Sequence, residues 1–129
     1  MGKFDGASST AGGVLSGNIG TALVAGDVAI GAGWGATGTK AITAGANSQR
    51  GQIVVTAAGG SYAQATATIV ITFPDPYTTA PNVALVTMSN AVALDTGHAT
   101  WTCTTTALTI TYLVLPAAGV YTFNYALVI

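Results

Sequence analysis

Charge is nearly missing from this sequence. Three of its 129 residues are Lys or Arg and four are Asp, with no Glu, a charged fraction of 5% against about 25% in an ordinary soluble domain. The cations Lys3, Lys40 and Arg50 are scattered, whereas nucleic-acid affinity needs clustered Lys and Arg to neutralise phosphates. Nucleic acid is therefore excluded as a partner. A single cysteine, Cys103, leaves no internal disulfide and no cysteine zinc site. A single histidine, His98, falls short of a catalytic triad, which needs a nucleophile, a base and an orienting carboxylate, and of a metal site, which needs several ligands. The stretch "DTGH" at 95–98 reads more simply as a polar turn entering a strand. With four Asp and no Glu, paired-carboxylate chemistry has few candidates. No catalytic residue, metal ligand or cofactor-binding residue is assigned, and a non-enzyme is expected.

Long uninterrupted apolar runs are also scarce. Residues 107–129 carry no charge and are long enough to span a bilayer. Yet Pro116, Gly119 and Asn124 interrupt them, and both halves alternate polar with apolar, whereas a spanning helix is apolar all round. The opening "MGKFDGASSTAGGVLSGNIG" has no continuous apolar core for a signal peptide. It also has Gly6 where a myristoylation signal wants Ser or Thr. Neither export nor a membrane partner is expected.

What the chain does contain is apolar and small: half of it is hydrophobic and 17 residues are Gly. Low charge with high hydrophobicity argues against disorder, but leaves little to keep a monomer's surface soluble. A specific assembly that hides surface is expected. Residues 1–20, rich in Gly, Ser and Ala, read as an arm, and 21–129 as one domain. From Thr21 onward short β-prone runs alternate with turn chemistry, and no window keeps an amphipathic helical period over three turns.

The predicted strands are "TALVAGDVAI", "TKAITA", "GQIVVTA", "QATATIVITF", "NVALVTM", "HATWTCT", "ALTITYLV" and "GVYTFNYALVI". In the fourth, Ala65, Ala67, Ile69, Ile71 and Phe73 share one face. In the seventh, Leu108, Ile110, Tyr112 and Val114 lie opposite Thr109, Thr111 and Leu113. One face is core and the other Thr-rich and wettable. Cys103 shares parity with Trp101, which predicts a buried apolar thiol. The final "YTFNYALVI" places Tyr121, Phe123, Tyr125, Leu127 and Ile129 on one face, as a core strand does. Pro74, Pro76, Pro81 and Pro116 all fall between strands, where a missing N–H does no harm. The chain is read as all-β: an antiparallel β-sandwich or jelly roll of about eight strands, with an extended Gly/Ala/Ser-rich N-terminal arm.

Two features invite a binding role. "GWGATG", residues 33–38, matches the G-x-G-x-x-G dinucleotide fingerprint by letter, but that mechanism needs a helix starting there and an acidic residue about 20 positions on. Neither follows, so the stretch is read as a turn in which Trp34 packs over neighbouring backbone. Trp34, Tyr62 and Tyr77 lie in or beside predicted loops and are the candidate partner or glycan contacts; the competing reading is that they plug the ends of the sandwich.

Three stretches taken together, "NSQRGQIVVTAAG", "TATIVITFPDPYTTAPNVALVTMSN" and "PAAGVYTFNYALVI", resemble the β-rich domain at the C-terminal ends of bacteriophage tail fibres and in other small phage virion proteins. The likeness runs from Asn47 to Ile129. It implies a non-enzymatic virion component, commonly a homotrimer, displayed on the particle surface. A fibre tip normally follows a long shaft, and the short stretch ahead of Asn47 favours a small capsid decoration, cement or head-fibre protein. Its partners would then be copies of itself and the major capsid or another virion protein. The alternative is a receptor- or glycan-binding module of a tail fibre or spike, using loop aromatics on a host surface glycan.

Overall fold

Eight strands form where the alternating segments lie. In a computed structural model, which describes residues 20–88 and 99–128, they are β1 (Val28–Ile30), β2 (Thr39–Ile42), β3 (Arg50–Ala57), β4 (Thr68–Thr72), β5 (Val83–Met88), β6 (Ala99–Cys103), β7 (Ala107–Tyr112) and β8 (Gly119–Val128). The expected arm lies outside the described residues except for Gly20, as do Asp95, His98 and Ile129.

Two antiparallel four-stranded sheets result, ordered β1-β4-β7-β6 and β2-β3-β8-β5. Among the described strands only β2–β3 and β6–β7 are consecutive and side by side; the members of every other consecutive pair belong to different sheets. β8 is interior to its sheet and pairs with β3 from Arg50↔Ala126 to Ala57↔Gly119 and with β5 from Val83↔Val128 to Met88↔Phe123. Inward parity matches the sequence pattern. Ile53 and Val55 of β3 and Tyr121, Phe123, Tyr125 and Leu127 of β8 are buried against Ile69 and Ile71 of β4 and Leu108, Ile110 and Tyr112 of β7.

Two expectations about faces give way to packing. The strand expected from Gln64 begins only at Thr68, because Gln64–Thr66 winds into a 3-10 turn and leaves Ala65 exposed. The cause is the turn at Ala32–Trp34 lying against it: the Ala63 N–H donates to the Gly33 carbonyl at 3.2 Å. Trp101 and Cys103 do keep inward parity, pairing with Ile110 and Leu108, but β6 is an edge strand. Trp101 is consequently 39% exposed and Cys103 only half-buried, its thiol pushed up by partial desolvation. The Trp101 indole N–H reaches across the open side of the sandwich to the Ala84 carbonyl at 2.8 Å. It occupies an edge carbonyl of β5, tying together the margins of the two sheets.

Candidate interaction face

The glycines of "GWGATG" serve backbone contact rather than phosphate. A Cβ on Gly33 would stand 2.1 Å from the Ala63 carbonyl oxygen, and one on Gly35 2.1 Å from that of Ala58. Gly35 also has φ +104°, a conformation that side chains disfavour. After it the chain runs into β2, not a helix. Gly35→Ala is expected to cost about 1–3 kcal/mol or more from strain and overlap, read as a lower thermal midpoint with an unchanged circular-dichroism spectrum.

Between these glycines Trp34 is fully buried, which corrects its expected role as an exposed contact. Its ring stacks on Tyr112 at 5.6 Å and meets Tyr121 at 5.2 Å and Phe123 at 5.9 Å. Its indole N–H donates to the Thr68 carbonyl at 3.0 Å. The physical reason is that both sheets supply large aromatic side chains at this end, and an indole fills the gap between them with its one polar atom satisfied.

Tyr62 is half-buried near Gly35, on the same side. Tyr77 is half-buried at the start of β3, where its hydroxyl donates to the Ser48 carbonyl at 2.6 Å and its ring meets Phe73 edge-on at 5.0 Å. Trp34 joins the chain just after β3, through the Ala58 N–H at 3.1 Å. The three aromatics thus sit at opposite ends of an eight-residue strand, about 24 Å at 3.4 Å per residue, and do not converge on one site.

The loop ahead of β3 is held instead by its own polar groups. Asn47 Oδ1 accepts the N–H groups of Gln49 and Arg50 at 2.9 and 3.0 Å, and Ser48 Oγ accepts that of Thr21 at 3.1 Å. The Tyr125 hydroxyl donates to the Asn47 carbonyl beside the Tyr77–Ser48 bond. Burial raises the pKa of both tyrosines above the ordinary 10.0, and for Tyr125 the neighbouring Tyr77 adds to it. Both hold their protons to higher pH in the fold than in the unfolded chain, where tyrosine ionises near pH 10. Stability is therefore fully present below that pH and lost as pH rises above it. The urea midpoint is expected to be flat from neutral pH to about pH 9, then to fall, and Tyr125→Phe to reduce the fall.

Among the described residues no three His, Cys, Asp or Glu side chains come together. A hollow of about 420 Å³ beside β2 is lined by small and apolar residues including Leu23, Ile42 and Ala46, with Lys40 its one charged lining group.

The outer faces of the two sheets differ in kind. On the first, Thr100, Thr111 and Thr68 form one cross-strand row and Thr102, Thr109 and Val70 the next. On the second, Leu85, Val120 and Val128 are 57%, 48% and 52% exposed. Between them a polar row crosses β3, β8 and β5 from the residue that follows β2: Thr43 Oγ1 donates to Gln52 Oε1 at 2.9 Å, Gln52 Nε2 to Asn124 Oδ1 at 2.9 Å, and Asn124 Nδ2 to Thr87 Oγ1 at 3.4 Å. Sequence reasoning passed over this face. Its signal was the outward set of β8, where valines and an alanine replace the threonines of the other strands. No family model, curated protein or solved structure matches this chain.

Proposed function

We propose that this chain is a non-enzymatic structural subunit of a bacteriophage particle, assembling with copies of itself as a capsid decoration, cement or head-fibre protein on the virion surface. The observation that carries the reading is a rigid two-sheet body whose sheet face exposes Leu85, Val120 and Val128 in a chain with a charged fraction of 5%. Such a surface gains by burial against another protein and has little charge to keep it dispersed. The likeness of residues 47–129 to phage fibre-end domains supplies the setting, and assembly with copies of itself is what it implies.

Quantitative mass spectrometry of purified particles tests the reading. Hundreds of copies, in proportion to the major capsid protein, are expected. A few copies confined to the tail would instead favour a receptor- or glycan-binding module, and absence from particles would overturn both.

A further inference from the structure

We infer that copies of this chain meet through the outer face of the β2-β3-β8-β5 sheet, with the Thr43–Gln52–Asn124–Thr87 row setting their register. The inference rests on the reading of the chain as a self-assembling subunit, and names the surface that does it. Among the described residues, Leu85, Val120 and Val128 are large exposed hydrophobics within the strands of this face, whereas no strand residue on the outer face of the other sheet is one. Val24, Trp101, Leu113 and Leu115, also exposed, belong to loops or to a sheet edge.

The chemistry of the face selects a copy of itself. Among the described residues its one charged side chain is Arg50, at the start of β3 beside Ala126, and no described carboxylate lies on it, so a partner of opposite charge has almost nothing to read. Amides and hydroxyls supply both donors and acceptors, which lets an identical row satisfy it. The row is already held by its own hydrogen bonds, so little side-chain freedom is lost on contact. The rows on either side are mainly apolar: Arg50, Ala126 and Leu85 on one, Ala41, Val54 and Thr122 on the other. A slip by one row would bury amides against methyl groups without partners, a penalty that fixes one register.

Area allows it. The four strands hold 4, 8, 10 and 6 residues, which at about 3.4 Å per residue and about 4.8 Å between strands give a face of roughly 460 Å². Two such faces hide roughly 900 Å² before side-chain relief is added, which brings the contact to the range of specific interfaces, about 1,000 Å² and above.

The test is the mass of the full chain in solution by light scattering, from micromolar to hundred-micromolar concentration. Wild type is expected to be oligomeric. Leu85→Lys and Val128→Lys, both at exposed positions, are expected to keep a cooperative melt and raise the dissociation constant about tenfold or more, while Thr109→Lys on the opposite face leaves it unchanged. A milder probe covers the case in which the lysine variants do not fold. In a Cys103→Ser background, Thr122→Cys is expected to cross-link between copies with a short bismaleimide, and Thr109→Cys is not. Oligomers that survive the folded lysine variants, or cross-links only from position 109, would overturn this inference and leave the subunit reading standing. A wild-type monomer at every concentration would overturn both, whereas an oligomer missing from particles would overturn the phage reading alone.

Discussion

A chain truncated after Val120 is expected not to fold. The missing residues form most of β8, which lies between β3 and β5 and supplies the hydrogen-bonded neighbour of each. Their loss removes Tyr121, Phe123, Tyr125 and Leu127 from the core, all of them buried, at about 1.5–3 kcal/mol each. Even after a discount of about 10–40% for a compact unfolded chain, the loss rivals a typical domain's whole stability of about 5–15 kcal/mol. The backbone cost adds to this, because an interior strand leaves two ladders open, not one. The Tyr121 hydroxyl also bonds both the N–H and the carbonyl of Ala117 at 3.0 Å, so the turn entering β8 loses its anchor as well. Circular dichroism and proton NMR dispersion of the truncated chain measure the outcome. A cooperative thermal transition in that chain would refute the assignment of β8 as the organising strand.

Trp34→Ala is the point substitution with the largest expected effect, about 3–5 kcal/mol. The indole touches Tyr112 of one sheet and Tyr121 and Phe123 of the other, so its removal opens a void between the layers. It also leaves the Thr68 carbonyl with only the Gly31 N–H, at 2.9 Å, of its two donors. Trp34→Phe keeps an aromatic ring but drops the N–H, and is expected to recover roughly half of the loss. Urea midpoints of the three proteins measure this. The tryptophans also offer an internal control: Trp34 is buried and Trp101 partly exposed, so Trp34→Ala is expected to leave a red-shifted emission, and a blue-shifted remainder would contradict the placement.

The two substitutions differ in how visible their reasons are from the sequence. The period-two pattern of residues 121–127 announces a core strand without further information. The Gly-rich segment reads as a turn in which Trp34 packs over backbone, but nothing local announces that the ring lies wholly buried between two sheets. Its burial depends on Tyr112, Tyr121 and Phe123, which lie far along the chain. Trp101 errs the other way, since its inward parity suggests a core side chain, while the position of β6 at a sheet edge leaves it partly open. The same holds for the candidate face. Leu85 and Val128 look like ordinary strand residues until the pairing of β5 with β8 places them on one surface.

Strand existence, side-chain parity and turn positions were readable in the residues alone, because alternation and Gly/Pro punctuation are local consequences of backbone geometry. All eight expected segments contain a strand. Which strands become neighbours, which aromatics are covered and which outer face is left apolar were decided only in three dimensions. Among the described strands all but two consecutive pairs are divided between the sheets, so strand order is set by the joint burial of two faces, and no stretch of sequence holds both sides of that contact.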